Sequence, residues 1–250
     1  MNKEEREEIA KQHTSKMNEQ YSSEIAQSIQ NSIIYEGKFN SIIYPMQKTY
    51  KTEIIVEDLT TEAAIAKCGD GCCALNFASF TRAGGGFIKG SIAQEEAICH
   101  VSNLYNILKE FQPYYDDNYN FKMYKGLYKD WGIFTPNVIF LDKIKANIIT
   151  VAAPNYKSYI AKSSDMALYN ASLKSRIKFV LDMAQANKQE ILILGAFGCG
   201  VFGNKPEIVA KMFMQCIESK DYNFKKIIFA VPCLNDDKNY QAFKNVIEKR

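Results

Sequence analysis

The chain has 250 residues, 47% hydrophobic and 12% aromatic, which is enough to bury one large core in a single domain. Its 31 basic and 28 acidic residues nearly balance at a formal charge of +3, which excludes the strongly basic composition of a typical nucleic-acid-binding protein. No apolar run approaches the roughly 20 residues that cross a bilayer, so we expect no membrane association.

The cysteines and histidines argue against a metal centre. The seven cysteines show no paired metal-ligand spacing, and the chain has two histidines, His13 and His100. Reduced core thiols are typical of a cytoplasmic protein, and the polar, acidic N-terminus is unlike a secretory signal. We expect a cytoplasmic monomer without metal or cofactor, although delivery by a signal-less secretion route would leave the same sequence pattern.

The first predicted element is an amphipathic helix over residues 2–30. Apolar or aromatic side chains recur there every four residues amid Glu, Lys and Gln, as at Ile9, Met17 and Ile25. We expect residues 1–50 to form a helical accessory segment packed on one catalytic domain that spans residues 51–250.

Buried strands and helices alternate through the rest of the chain. Apolar, β-branched-rich runs predict strands at 53–56, 73–77, 137–141, 148–152, 191–194 and 227–231. Helices are predicted at 60–68, 94–111, 165–187, 206–220 and 236–249. The Tyr-rich segment 113–136 has no period and is predicted to be a surface loop, with Tyr114 and Tyr115 solvated. The alternation predicts an α/β fold with a mostly parallel sheet.

Two glycine-rich segments follow predicted strands. Gly84, Gly85 and Gly86 come after strand 73–77, and a second run, 195–203, comes after strand 191–194. Glycine lets backbone amides approach an anion closely and adopt positive φ, and ligands of α/β sheets gather at the carboxyl ends of the strands. The two loops are therefore predicted to hold a diphosphate from both sides, although each alone is also compatible with a tight turn.

Several separated motifs, in order, resemble the bacterial-type poly(ADP-ribose) glycohydrolases of the macrodomain superfamily. They are Asn76-Phe77-Ala78-Ser79, the triple glycine, Gln94-Glu95-Glu96, Ala152-Ala153-Pro154-Asn155 and the run from Gly195 to Asn204. The resemblance covers the chain from about residue 52 to the end. It implies a macrodomain-like three-layer α/β/α sandwich with a mixed, mostly parallel sheet, and a metal-free hydrolase that releases ADP-ribose from ADP-ribosyl glycosidic linkages.

The resemblance also implies roles for individual residues. Glu96 would protonate the leaving oxygen and then deprotonate the attacking water. Glu95 would anchor ribose hydroxyls, Gln94 would orient the pair, and Asn76 would hydrogen-bond ribose. Because a helix N-terminus favours a charged carboxylate, burial and the substrate phosphates must counteract the dipole if Glu96 is to carry a proton. The alternative for Gln94-Glu95-Glu96 is an ordinary solvated first turn.

The remaining candidates contact the nucleotide. Diphosphate and distal ribose are expected to lie against Gly84, Gly85, Gly86, Gly198, Cys199, Gly200, Val201, Phe202, Gly203 and Asn204. Phe202 would pack against the distal ribose. Phe243 is a candidate for stacking on adenine, with an ordinary core-facing aromatic as the alternative. His100, on the helix face of Glu96, either tunes that acid or packs in the core.

The sequence does not decide which glycosidic bond the protein breaks. The residues from Phe80 to Ala83 depart from the family pattern, in which a small residue, an Asn and a Pro are more usual, and Arg82 there could alter how the distal group is received. Poly(ADP-ribose) offers an O-glycosidic bond and mono-ADP-ribosylated arginine an N-glycosidic bond. A non-catalytic ADP-ribose reader is disfavoured because both Glu95 and Glu96 are retained, and an enzyme of free nucleotide derivatives is a further alternative.

Overall fold

The computed structural model describes residues 1–37, 50–121, 126–141, 143–233 and 236–249. In these ranges one mixed sheet has the strand order β1-β4-β5-β3-β6-β7-β2. The strands are β1 Ile33–Glu36, β2 Glu53–Glu57, β3 Cys73–Phe77, β4 Trp131–Ile139, β5 Lys145–Val151, β6 Ile191–Gly195 and β7 Lys226–Ala230. The β1–β4 and β4–β5 pairs are antiparallel and the other pairs are parallel, which confirms the predicted mostly parallel α/β sheet.

Helices cover both faces of the sheet. They are α1 Lys3–Asn31, α2 Thr61–Cys68, α3 Gln94–His100, α4 Leu104–Leu108, α5 Gln112–Phe121, α6 Tyr156–Ile160, α7 Met166–Ala186, α8 Pro206–Glu218 and α9 Lys238–Ile247. Alternate residues of β3 enter two separate cores. Leu75 belongs to the core that contains side chains of α7, α8 and α9, and Ala74 belongs to the core that contains side chains of α2, α3 and α4. The result is the three-layer sandwich that the resemblance implied.

The predicted N-terminal helix is confirmed as α1. Asn2 and Glu5 form a capping box at its start, and the helix buries Ala10, Met17 and Ile25. Arg6 Nε donates to Gly90 O at 2.7 Å, so α1 braces the short 3₁₀ turn Phe87–Lys89 that follows the glycines. The sequence prediction missed β1, which adds an edge strand beside β4. Residues 38–49 of the expected accessory segment lie outside the described residues.

The predicted single helix over 94–111 is wrong. It is broken into α3, α4 and the 3₁₀ turn Lys109–Phe111. Between α3 and α4, Ser102 forms an isolated bridge to Phe140, and Asn103 Oδ1 accepts a hydrogen bond from Ile139 N at 3.0 Å. The backbone of Ser102 and the side chain of Asn103 thus join the break to the end of β4, and this long-range pairing outweighs continuation of the helix.

The predicted surface loop over 113–136 is also wrong for most of its length. Its first part is α5, and its last six residues begin β4; residues 122–125 lie outside the described residues. Tyr114 and Tyr115 are buried, and their rings contact edge to face at a centroid distance of 5.0 Å. Burial of these large rings against the sheet explains why a polar-looking segment is ordered. No helix in the described ranges has the length and apolar character of a membrane span.

Candidate active site

The candidate site lies at the carboxyl ends of β3, β5 and β6, where three loops meet. A cleft there is lined by residues from all three loops and from the start of α3, namely Phe77, Ala93, Gln94, Ala153, Phe197, Gly198, Gly200, Val201 and Phe202. The parallel pairing of β3 with β5 and β6 brings these loops together. This is the edge at which open α/β sheets bind ligands, as the sequence predicted.

The triple glycine makes room for two carboxylates. Gly84 and Gly85 have φ of +62° and +60°. A Cβ on Gly85 would lie 2.5 Å from Glu96 Oε1 and 2.8 Å from Glu95 Oε2, so no larger residue fits without moving the acids. Gly85 N donates to Arg82 O at 3.1 Å and Gly86 N donates to Glu96 Oε1 at 2.7 Å. These two amides are already bonded within the protein, which corrects the expectation that they read phosphate.

Glu95 is the deeper of the two acids, with 2% of its surface exposed. Its Oε2 accepts a hydrogen bond from Ser79 N at 2.7 Å, and its Oε1 accepts one from Asn76 Nδ2 at 3.2 Å. Burial raises the pKa of the Glu95 carboxyl to about 8; these two hydrogen bonds oppose the rise, and the charge of Glu96 adds to it. A carboxyl with such a pKa holds a proton at neutral pH.

Asn76 is fully buried behind Glu95, which corrects its expected position on the ribose-binding surface. Its amide also donates to Thr150 Oγ1 at 3.3 Å. Within the described residues its Oδ1 has no hydrogen-bond partner. Since the two ends of an Asn amide are assigned from their contacts, Asn76 suits either state of Glu95: it can donate to the carboxylate or accept from the acid.

Glu96 and Gln94 join the start of α3 to its surroundings. Glu96 is 6% exposed, and its Oε2 accepts a hydrogen bond from Ala93 N at 3.0 Å at the helix start. Gln94 Oε1 accepts from Phe77 N at 2.8 Å, and its Nε2 donates to Leu75 O at 2.8 Å and to Thr61 Oγ1. Gln94 therefore fixes α3 against the end of β3, and this contact sets the position of both acids.

The second glycine-rich loop presents free amides. Gly198 and Gly203 have φ of +72° and +74°, which turn the chain tightly between β6 and α8. Within the described ranges, the N–H groups of Gly200, Val201 and Phe202 donate to no protein acceptor. Val201 is 72% exposed, whereas Cys199 is half-buried, and burial raises the pKa of its thiol. This loop has the exposed amides that an anion requires.

Asn204 supports the second loop from behind. Its side chain is buried, donates to Pro154 O at 3.0 Å and to Gly198 O at 3.2 Å, and accepts from Tyr169 Oη at 2.5 Å. Asn204 was expected in the run that wraps the diphosphate, and its side chain braces that run from within the protein. Through Pro154, it connects the loop after β6 to the loop after β5.

The structure places the three ring-bearing candidates, Phe202, Phe243 and His100, in different surroundings. Phe202 is half-buried at the cleft, with its ring 6.3 Å from the ring of Tyr128. The prediction that Phe243 stacks on adenine is wrong, because its ring is fully buried against Phe229 at a centroid distance of 5.4 Å. His100 packs edge-on against Phe87 at 4.7 Å, and burial lowers the pKa of its imidazole.

Sequence reasoning missed Arg176, which organises one side of the site. This arginine is fully buried on α7; its Nε donates to Asp130 Oδ1 at 2.7 Å, and its terminal nitrogens donate to Ala152 O and Leu127 O. It lies on the same helix face as the buried Leu173 and Val180. A charged residue within this apolar face of the helix is the sequence feature that could have indicated a buried arginine. Among the described residues, no cluster of three or more His, Cys, Asp or Glu could hold a metal ion.

Comparison with known proteins agrees with this geometry. The family model of the microbial-type PARG catalytic domain matches residues 4–143. Poly(ADP-ribose) glycohydrolase (PARG) from Thermomonospora curvata superposes with a TM-score of 0.88 at 27% identity, over 98% of this chain and 100% of that one. The same enzyme bound to the inhibitor ADP-HPD gives 0.84 at 28% identity, over 97% and 99%.

A second enzyme gives a similar result. The ADP-ribose complex of Deinococcus radiodurans PARG gives a TM-score of 0.81 at 30% identity, over 91% of this chain and 98% of that one. No curated protein sequence shows significant similarity. The family model covers more than half of the chain, and the solved structures agree over nearly all of it. The chain therefore belongs to the microbial-type poly(ADP-ribose) glycohydrolase family.

Proposed function

We propose that this protein hydrolyses the glycosidic bonds of poly(ADP-ribose) and releases ADP-ribose, with Glu96 as general acid and then general base. The observation that carries this proposal is the pair of buried carboxylates that meet at Gly85, where Glu95 has a pKa of about 8. Binding of ADP-ribose by the D. radiodurans relative supports the nucleotide part of the proposal. A reader of ADP-ribose has no chemical need for a proton held at this position.

The two acids lie together at the start of α3, and their oxygens converge on Gly85 in a buried site. In the first step the bond between the distal ribose C1 and the leaving oxygen breaks, and Glu96 gives its proton to that oxygen. In the second step a water oxygen bonds to C1 and Glu96 takes the proton of that water. Glu95 hydrogen-bonds the ribose hydroxyls throughout.

The second loop supplies the anion site. The free amides of Gly200, Val201 and Phe202 face a diphosphate, and α8 begins three residues after Gly203, with its positive dipole end toward the loop. The bound diphosphate stabilises the positive charge that develops on the distal ribose in an oxocarbenium-like transition state. A separate nucleophilic carboxylate is then not needed.

The test compares the wild type with Glu96→Gln on two substrates, in the presence of a chelator. These substrates are poly(ADP-ribose) and a protein mono-ADP-ribosylated on arginine, and released ADP-ribose is measured. We expect the wild type to act on the polymer and Glu96→Gln to lose about 10³-fold in kcat, within the range typical of a general acid. Affinity for ADP-ribose, measured by calorimetry, should change less than about twofold, since the product lacks the leaving group. Glu110→Gln, an exposed glutamate in a 3₁₀ turn, is the matched control.

Other outcomes reassign the function. Release from the arginine-linked protein alone would make the chain a mono-ADP-ribosyl hydrolase. Binding of ADP-ribose without release from either substrate would make it a reader. Full turnover by Glu96→Gln would remove Glu96 from the chemical step.

A further inference from the structure

Tyr128 lies at the ligand edge of the sheet, at the carboxyl end of β5. β4 runs antiparallel to β5, and Gly132 pairs with Val151, so the start of β4 lies at the carboxyl end of β5. Tyr128 precedes this start by three residues. It is therefore placed on the β5 side of the two acids, whereas the free amides of the second loop lie on the β6 side.

The Tyr128 ring connects the two ligand loops. It stacks on Phe80 with a centroid distance of 4.2 Å and an interplanar angle of 15°. Phe80 is buried and directly follows Ser79, whose amide binds Glu95. On another side the Tyr128 ring meets Phe202 at 6.3 Å and 60°. One half-buried ring thus spans the loop that holds the acids and the loop that presents the free amides.

Tyr128 is held in a conformation that a tyrosine rarely adopts. Its φ is +61°, in the left-handed region that costs roughly 1–2 kcal/mol for an L-residue. On both sides of Tyr128 the chain is fixed by Arg176, which donates to Leu127 O and Asp130 Oδ1. Strained residues that a buried network holds in place at a ligand edge are typical of functional positions.

The proposed function gives the substrate a direction. In it, the bond that breaks lies at the acids and the diphosphate of the released ADP-ribose lies against the free amides after β6. The group on the other side of the bond then extends toward β5 and the start of β4, where Tyr128 lies.

Two basic residues lie on the segments that carry Tyr128 and Phe80. Lys129 is adjacent to Tyr128, with its ammonium 4.0 Å from the centre of the Trp131 ring, and Arg82 is exposed two residues after Phe80. The carboxylate of Asp130 is paired with Arg176 at 2.7 Å. Basic residues at this edge favour a unit that carries a diphosphate over the guanidinium of an arginine side chain.

We propose, on the basis of the proposed function, that Tyr128 is a specificity-determining residue that contacts the nucleoside of the leaving ADP-ribosyl unit. Stacking of an aromatic ring on a nucleoside contributes roughly 1–3 kcal/mol. Tyr128 favours poly(ADP-ribose) over arginine-linked ADP-ribose as substrate, because only the polymer has a nucleoside in that position.

The experiment compares Tyr128→Asn and Tyr128→Phe with the wild type. Asn tolerates the left-handed conformation but has no ring, whereas Phe keeps the ring and loses the hydroxyl. We expect Tyr128→Asn to lower kcat/KM on poly(ADP-ribose) about 10-fold, mainly through KM, with the Kd of ADP-ribose changed less than about twofold. Tyr128→Phe should stay within about threefold of the wild type on the polymer. Tyr119→Asn, at a half-exposed tyrosine on α5, is the control for loss of a surface ring.

The contrary results are distinct. An equal loss in polymer turnover and ADP-ribose affinity would show that Tyr128 only supports the site, and it would overturn the inference. An unchanged kcat/KM in Tyr128→Asn, or a larger loss on the arginine-linked protein than on the polymer, would overturn it as well. A wild type that is inactive on every substrate would overturn the proposed function and this inference with it. An active wild type together with an unaffected Tyr128→Asn overturns the inference alone.

Discussion

Replacing Glu95 with Gln should change how the stability of the fold depends on pH. The Glu95 carboxyl has a pKa of about 8 in the folded protein, against an ordinary value of 4.5. Below pH 4.5 both the folded and unfolded states hold the proton, so the Glu95 carboxyl does not make stability depend on pH. Between 4.5 and about 8 the unfolded state releases the proton and the folded state keeps it, so stability falls as the pH rises. Above about pH 8 the folded state carries the full cost of a buried, charged Glu95, and stability falls no further on account of this group.

The size of this effect follows from the difference in pKa. A difference of about 3.5 pKa units at 1.36 kcal/mol per unit gives about 5 kcal/mol as an upper limit for the wild-type loss between pH 4.5 and 8. Gln resembles the protonated acid in shape and does not titrate. Its amide can donate to Asn76 Oδ1, which has no partner within the described residues. Glu95→Gln should therefore escape most of this loss.

The assay is urea unfolding of the wild type and Glu95→Gln at pH 5 and pH 9. We expect the free energy of unfolding of the wild type to fall between these pH values by several kcal/mol more than that of the variant. Glu110→Gln, which removes an exposed carboxylate, should follow the wild type. Parallel pH profiles for the wild type and Glu95→Gln would refute the reasoning, because they would show that the proton is not held at Glu95.

Two further substitutions test the loops. Gly85→Ala places a Cβ at φ +60° against both carboxylates, so kcat should fall at least about 100-fold while ADP-ribose still binds. Steady-state kinetics measure kcat and calorimetry measures binding. A kcat near that of the wild type would contradict the role of the glycine. Asn204→Ala removes the hydrogen bonds behind the second loop, so the Kd of ADP-ribose should rise about 10-fold. An unchanged Kd in Asn204→Ala would mean that the loop keeps its shape without that brace.

The parts of the fold that depend on local pattern could be predicted from the sequence. Strands buried on both faces appear in the sequence as continuous apolar runs, so β3, β6 and β7 were predicted. The helix predicted over 165–187 is present as α7, because it too follows from a local pattern. The break at Ser102 and Asn103 could not be predicted, since it depends on pairing with β4, about 36 residues further along the chain. Hydrophobic periodicity and helix propensity are local properties of the sequence and carry no information about such a contact.

The site was predictable as a location but not in its details. The order of the motifs brought Glu95, Glu96 and both glycine-rich loops to one edge of the sheet. Sequence could not show which glycine amides are already bonded, because Gly86 N is occupied by the side chain of Glu96, ten residues away. The position of Phe243 in the sequence fits both a core residue and a residue that contacts the ligand. Its packing on Phe229 shows that it is a core residue.

Burial decides the conflict between a helix N-terminus and a bound proton at Glu95. α3 is short, seven residues, and burial is the largest influence on the pKa of Glu95, so desolvation outweighs the helix dipole there. The proton therefore stays on Glu95 in the free protein at neutral pH. In the mechanism that we propose, Glu96 is the acid that delivers a proton to the leaving oxygen, because it is the more exposed of the two.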